Sequence, residues 1–562
     1  MSTERANLNP RQRARALRSL AERTFDLVVV GGGITGVGTA LDAVSRGLSV
    51  ALVEQGDWAS GTSSRSGKVF HGGLRYLEQL NFSLVREALR ERDLMVDRLC
   101  PHLAKPEPFV FPFRRRRERP YVGAGVLLYD LLRMTGTRSV PGHRHLTRAG
   151  VHRELPGLRP DTITGGVLFH DVRVDDARHT LTVARTAADL GAQLASRVLV
   201  TGLLVEGGVV RGVRARDLDG GTGLVVRARA VVNATGVWAA QVQAMSGRPT
   251  ISVTPSKGVH LVVPGDRFEG RAGLIAKTDD SIFLIRRWFG FWLMGTTDTR
   301  WEHDRDDPAA TRADTDYLLG QANRWLRRPL RDADVIGVYA GLRPLVSGRT
   351  SRTAGLSRDH SVLTGPPGLT TVVGGKYTTY RIMARDAVDA ATAAWAQTVP
   401  PSETERLPIL GASGYSALLD QRRALAAETG LKVSRIDHLL GRYGTLTPDL
   451  LDLMADRPEW ARPVTGASHY LTAELHYAAR NEGAVHLDDV LERRTRIFME
   501  TPDRGLAAAP YAADVLAEEL GWDDDRRAAE VARYRSAREA DRRALAAASD
   551  DDAVNARRSL RS

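Results

Sequence analysis

The chain has 562 residues, which at roughly 100–200 residues per domain calls for several hydrophobic cores. Hydrophobic residues at 43% and charged residues at 26% exclude a disordered chain, and the lone Cys100 excludes an internal disulfide framework or a cysteine-rich zinc site. The formal charge of +12 does not single out a nucleic acid, because the arginines are dispersed among aspartates and glutamates, with no zinc-finger spacing and no aromatic-plus-basic RNA signature.

In chain order, residues 1–24 read as a polar, arginine-rich N-terminal arm with one helical stretch and no secretory pattern. The run Phe25 to Val30 reads as a strand buried on both faces, followed by glycines and a helix from Ile34 to Arg46. A second apolar run, Leu48 to Val53, closes on Glu54 and completes a βαβ unit, so a parallel sheet is expected. Residues 82–99 have helical spacing. Phe109 to Phe113 precedes four arginines, Arg114 to Arg117, and an apolar stretch over 120–134. Short strands are expected over 195–234 and 250–299. From about residue 400 the pattern turns helical, with helices at 415–427, 433–442, 446–454, 486–498, 509–520 and 524–547; residues 549–562 read as a disordered tail. No apolar run reaches the ~18 residues of a spanning helix.

The chemistry begins at Gly31-Gly32-Gly33-Ile34-Thr35-Gly36, which has glycines at the three positions of G-x-G-x-x-G. Gly31 permits the tight turn, Gly33 lets the backbone approach a pyrophosphate, and Gly36 lets helix and strand pack closely. Glu54, 18 residues past Gly36, is placed to accept hydrogen bonds from an adenosine ribose. A second strand of cofactor type, Val231 to Asn233 leading into Gly236, lies roughly 200 residues on. That interleaving favours FAD over NAD.

The segment from Ser60 to Glu78, containing Thr62-Ser63-Ser64-Arg65-Ser66-Gly67-Lys68 and His71-Gly72-Gly73-Leu74-Arg75-Tyr76, resembles the FAD-dependent glycerol-3-phosphate dehydrogenases. Ser256-Lys257-Gly258-Val259-His260, Gly295-Thr296-Thr297-Asp298, Gly341-Leu342-Arg343-Pro344-Leu345, Ser357-Arg358-Asp359-His360 and Gly374-Gly375-Lys376-Tyr377 carry the same resemblance, nearest to the actinobacterial aerobic type. It implies an α/β fold of the D-amino-acid-oxidase type. A discontinuous Rossmann-like FAD-binding domain (25–80, 146–249, 335–398) carries a mostly β cap (81–145, 250–334), with a C-terminal α-helical domain over 402–548. It implies oxidation of sn-glycerol 3-phosphate to dihydroxyacetone phosphate in glycerol catabolism, with electrons passed through FAD to a membrane quinone. A peripheral position on the inner face of the cell membrane follows from that reading; a homodimer stays open.

The expected cofactor contacts are Gly31, Gly33, Gly36, Glu54, Thr62, Ser63, Ser64, Lys68, Gly236 and Gly375. Arg75, Tyr76, Arg343, Arg358 and Lys376 match the family's substrate-binding positions, and cations suit a phosphate dianion. His71 and His260 are the candidate bases for the hydroxyl proton, His71 first because its segment should pass beside the flavin; Arg343 joins them as a catalytic candidate. No metal is expected. Only six lysines occur, and Lys68, Lys257 and Lys376 all fall in motifs. The chain departs from its relatives at Arg286, where proline is common, and at Gly67, where serine is common. An oxidase passing electrons to oxygen, an amine or hydroxy-acid oxidoreductase on the same fold, and a silent membrane-associated scaffold are the alternatives. For the 109–134 region, insertion at a lipid headgroup layer and an ordinary packed helix stand side by side.

Overall fold

The computed structural model describes residues 4–73, 81–115, 117–132, 139–247, 251–278, 282–346 and 360–558. The apolar run at the start forms the strand Thr24–Val30, the centre of the first sheet. Leu27 and Val29 enter one core, whereas Phe25, Val28 and Val30 enter another on the opposite face. Parallel neighbours extend in the order Gln193–Ala195, Val50–Val53, Thr24–Val30, Gly223–Asn233 and Leu369–Gly374, and antiparallel His360–Thr364 closes the edge. The helices Ile34–Ser45, Asp176–Asp189 and Tyr380–Thr392 pack together on one face.

The opposite face is covered by the segment expected as an N-terminal arm. Pro10–Glu22 is a helix whose Ala16 and Leu20, four residues apart, are buried, and Arg13 donates to the Ser196 carbonyl and to Asp217. The i, i+4 spacing of small and apolar residues anchors it despite its many arginines.

The second sheet runs in the order Thr299–Arg300, Val253–Pro264, Phe291–Gly295, Ile282–Trp288, Gly273–Lys277, Lys105–Phe113, Gly165–Arg173 and Val69–Phe70. Here strand pairing crosses the expected domain limits. Gly165–Arg173, Gly337–Val346 and Val69–Phe70, all assigned to the FAD-binding domain, belong to this second sheet. Gly337–Val346 pairs continuously with Val253–Pro264, from Val253 opposite Val346 to Val262 opposite Gly337. Backbone pairing of that length outweighs proximity in sequence. The aromatic run sits inside this sheet as Lys105–Phe113, with Phe109 and Phe113 buried.

The C-terminal lobe is helical, with two departures from expectation. The short hairpin Pro463–Val464 and Ala467–Leu471 leads into a central helix, Thr472–Glu482, for which no helix was expected. Its buried face includes Glu474, His476 and Glu482, so its polar residues break the apolar period that marks a helix. The expected disordered tail also folds: Asp550–Arg558 is a helix with Ala553 and Val554 buried against Trp301, Ala309 and Leu342.

A buried ionic seam joins this lobe to the first sheet. Asp57, 1% exposed, accepts from Arg493 at 2.5 Å and from Arg494 at 2.5 and 2.7 Å. Arg496 lies 2.5 Å from both Asp175 and Asp176. Removing one partner of a buried pair costs about 3–5 kcal/mol because the other charge is stranded. Asp57→Ala is therefore expected to destabilise by about that amount, Arg494 losing its carboxylate partner while Arg493 keeps Asp489 at 2.8 Å, read as a lowered calorimetric transition and faster proteolysis between the lobes.

Candidate functional site

The strand ends of the first sheet and the second sheet enclose a cavity of about 390 Å³. Gly31, Gly33, Glu54, Thr62, Ser63, Gly236 and Gly375 line it, together with His71, His260, Arg343 and Lys376. Arg75, Tyr76 and Arg358 lie outside the described residues.

The glycine motif is explained by its geometry. Gly31 has φ +112°, and a Cβ there would stand 2.7 Å from the Ala234 carbonyl oxygen. A Cβ on Gly36 would stand 1.8 Å from the Gly31 carbonyl oxygen, so Gly36 serves the close packing of helix on strand and does not line the cavity. Thr35, in the first turn of Ile34–Ser45, faces the cavity, and Ser63 Oγ accepts from Ile34 N at 2.9 Å. The Glu54 carboxylate accepts from Gly32 N at 2.5 Å and Gly56 N at 2.6 Å. Burial raises its pKa, against the lowering effect of those two N–H groups. A carboxylate has about four acceptor sites, so two backbone bonds leave room for ribose hydroxyls. A glycine cradle open to a helix N-terminus, with a carboxylate at the next strand end, fits a dinucleotide.

Two expected cofactor contacts point elsewhere. Lys68 is fully buried, its Nζ 2.8 Å from Asp176 and 2.9 Å from the Ser64 carbonyl; burial, then the charge of Arg496, pulls its pKa down to about 8. Ser64 Oγ turns back to the Gly61 carbonyl at 3.4 Å. Neither lines the cavity. Lys257 is likewise an ion-pair lysine, 2.6 Å from Asp314 and in contact with Asp550. Of the three motif lysines, only Lys376 reaches the cavity.

Register in the second sheet sets the other wall: Ser256 lies opposite Arg343, Gly258 opposite Gly341, and His260 opposite Tyr339. Arg343 Nη2 donates to Thr296 Oγ1 at 3.0 Å and to the Thr297 carbonyl at 3.2 Å, and Nη1 lies 3.4 Å from Asp298. A Cβ on Gly258 would meet that guanidinium at 2.6 Å, so glycine makes way for it. The His260 ring stacks on Tyr339 with centroids 4.9 Å apart. Burial first, then the Arg343 charge, pushes its pKa well below the usual histidine value, so it is held neutral. His71 is pinned through its backbone, its N–H donating to Thr378 Oγ1 at 3.1 Å. Lys376 follows two positive-φ glycines, Gly374 at +77° and Gly375 at +82°, which turn the chain back to the cavity.

Sequence reasoning gave no role to Arg65 or Tyr339. Arg65 stands inside a quoted motif yet was assigned nothing, and it lines the cavity; Tyr339 has no motif, and only strand pairing shows it. The two departures meet each other. Arg286, fully buried, donates to the carbonyls of Gly67 and Lys68 and pairs with Glu107 at 2.8 Å.

The sequence matches the family described as FAD dependent oxidoreductase over residues 26–381, and the C-terminal domain of alpha-glycerophosphate oxidase over residues 402–527. It is 51% identical to the Glycerol-3-phosphate dehydrogenase of Mycobacterium leprae, across 97% of this chain and 93% of that one. It is 34% identical to the human mitochondrial Glycerol-3-phosphate dehydrogenase, across 93% and 74%. The solved glycerol-3-phosphate dehydrogenase from Bacillus halodurans, complexed with FAD, superposes with a TM-score of 0.78 at 27% identity, covering 95% of this chain and 98% of that one. Gly36→Ala is expected to purify with little bound flavin, because the added methyl forces the helix off the strand; the ratio of flavin to protein absorbance reads this directly.

Proposed function

This chain belongs to the FAD dependent oxidoreductase family, and from that premise we propose that it oxidises sn-glycerol 3-phosphate to dihydroxyacetone phosphate in glycerol catabolism, passing the electrons to a membrane quinone. The observation that carries the reading is the convergence of Arg343 and Lys376 on the same cavity as the nucleotide cradle. Its cofactor is FAD, which when bound supplies the hydride acceptor that no side chain provides. Gly31, Gly33, Glu54, Thr62, Ser63, Gly236 and Gly375 are the residues to hold it.

The remaining work falls to the chain. Arg343 is braced by Thr296, Thr297 and Asp298, so its planar fork is oriented before substrate arrives, and Lys376 adds a point charge for the phosphate. His71 takes the hydroxyl proton. His260, held neutral, is a hydrogen-bonding partner for the substrate rather than a cation competing with Arg343. Arg75, Tyr76 and Arg358 complete the substrate set in this reading.

Anaerobic addition of glycerol 3-phosphate should bleach the flavin absorbance, whereas glycerol should not. Reoxidation by a short-chain quinone much faster than by oxygen separates the dehydrogenase from the oxidase alternative. Arg343→Gln is expected to cost about 2–3 kcal/mol of transition-state binding, roughly a 30- to 150-fold loss in kcat/KM, with the flavin spectrum unchanged. An unchanged kcat/KM removes Arg343 from the substrate set.

Membrane contact is assigned to the helix Glu118–Leu132. No helix among the described residues is long and apolar enough to cross a membrane. On this helix Val126 and Tyr129 are buried, while Leu127 and Leu131, one turn apart, are exposed, and the exposed Arg114, Arg115, Arg117 and Arg119 precede or open the helix. That pairing of apolar and cationic surface suits an anionic headgroup layer. Leu127→Glu with Leu131→Glu should lower binding to anionic phospholipid vesicles and leave reduction of a soluble dye intact; equal vesicle binding moves the contact to another surface.

A further inference from the structure

A smaller cavity, about 70 Å³, lies where the Arg65 loop, the second sheet and the C-terminal helices meet. At ~10–15 Å³ per water it has room for roughly five, or for one oxyanion of phosphate size. Its wall carries five arginines, Arg65, Arg496, Arg504, Arg538 and Arg557, against three carboxylates, Asp307, Glu492 and Asp541.

Arg496 is neutralised by Asp175 and Asp176. The three carboxylates then serve the other arginines unevenly. Asp541 contacts Arg557, lies 3.1 Å from Arg538 Nη1 without hydrogen-bond geometry, and stands 3.6 Å from Arg504. Asp307 contacts Arg557, and Glu492 lies 3.0 Å from Arg538. Arg538 Nε and Nη1 and Arg557 Nε are buried without an acceptor. Among the described residues, the Arg65 guanidinium makes no hydrogen bond or ion pair, and Glu492 and Asp307 act on it only from a distance. Arg557 Nη1 also donates to the Asp307 carbonyl at 3.1 Å; with about five donors per guanidinium and about four acceptor sites per carboxylate, the guanidinium donors still outnumber the carboxylate acceptors.

Arg504 adds an independent sign. Its φ of +57° is the left-handed region, costly for a residue with a Cβ, and Tyr534 Oη fixes that backbone by donating to its carbonyl at 2.7 Å. Strain of this kind persists where the surroundings hold a side chain to a task. Burial also depresses the pKa of both Arg65 and Arg504, as for cations short of counter-charge.

We infer that this cavity is a second anion site, taking a tetrahedral oxyanion of the phosphate class between Arg65, Arg504, Arg538 and Arg557. Arg65 is shared, since it also lines the central cavity. An anion in the smaller cavity therefore fixes the Arg65 side chain and, through the residue common to both walls, couples to the central cavity. This coupling rests on the proposed function; anion binding at the smaller cavity does not.

The test is calorimetric titration of the full-length FAD-loaded protein with sodium phosphate, against sodium chloride at equal ionic strength. Two binding events are expected. Arg343→Gln should remove the central one, and in that background Arg65→Gln or Arg538→Gln should weaken the other at least tenfold. Among the described residues the Arg65 guanidinium has no hydrogen bond or ion pair to lose, so Arg65→Gln should melt in chloride like its parent, and Arg65→Lys should retain part of the affinity. If Arg343→Gln abolishes all phosphate binding, or Arg65→Gln leaves the second event unchanged, the site is overturned. If Arg343→Gln leaves both events intact while Arg65→Gln removes one, the second site stands and the reading of the central cavity falls.

Discussion

The arrangement of the molecule depends on a set of aspartates buried between the first sheet and the C-terminal lobe. Asp57 follows the strand that carries Glu54, and Asp175 and Asp176 begin the helix that packs beside the glycine-motif helix. All three are almost fully enclosed, and enclosed carboxylates persist as ions only if cations are brought to them. The segment Asp489–Arg494 and its continuation supply Arg493, Arg494 and Arg496. Burial alone raises the pKa of Asp175, yet Arg496 and Arg442 together drive it far below the carboxylate range. The C-terminal lobe thus supplies the counter-charge for the loops that shape the nucleotide cradle.

The same seam accounts for Lys68. Asp176 takes Arg496, Lys68 Nζ and the hydroxyl of Ser66, so Lys68, expected as a cofactor contact, is committed to fixing the loop. Once that loop is fixed, Ser63, Arg65 and His71 reach the cavity. The position of a residue within a motif therefore does not settle whether it touches the ligand or holds the residue that does.

What was legible in the sequence was local. The strand, glycine turn and helix from Phe25 onward are set by period and backbone freedom, and Glu54 follows from strand length, so this part of the cradle was legible locally. Arg343 and Lys376 could be read from motifs whose neighbours are small: Gly258 makes room for one, and Gly374 and Gly375 turn the chain for the other. Long-range pairing was not legible. Nothing near Gly165–Arg173 or Gly337–Val346 says that they join the second sheet, and that register is what stacks Tyr339 on His260. Buried charge misled in the other direction. Thr472–Glu482 hides Glu474 and Glu482 in ion pairs, and the acidic start of Asp550–Arg558 looks like a tail until Asp550 meets Lys257.

The electrostatics of the central cavity follow from where these charges end up. Lys68 and Arg286 stand behind the wall, each compensated, while Arg343 and Lys376 stand at it. His260 lies among them, and burial together with Arg343, Lys68 and Arg286 holds it neutral. A protonated imidazole there would add a further cation to a wall already positive, and among the described residues no carboxylate supports the enclosed ring. Neutrality leaves His260 able to give or accept a hydrogen bond without altering the charge seen by a dianion. Gly67 and Arg286, the two departures from the family pattern, fit this arrangement: the Arg286 guanidinium is spent on the carbonyls of Gly67 and Lys68 and on Glu107, behind the wall, so its charge tunes His260 without taking an anion of its own.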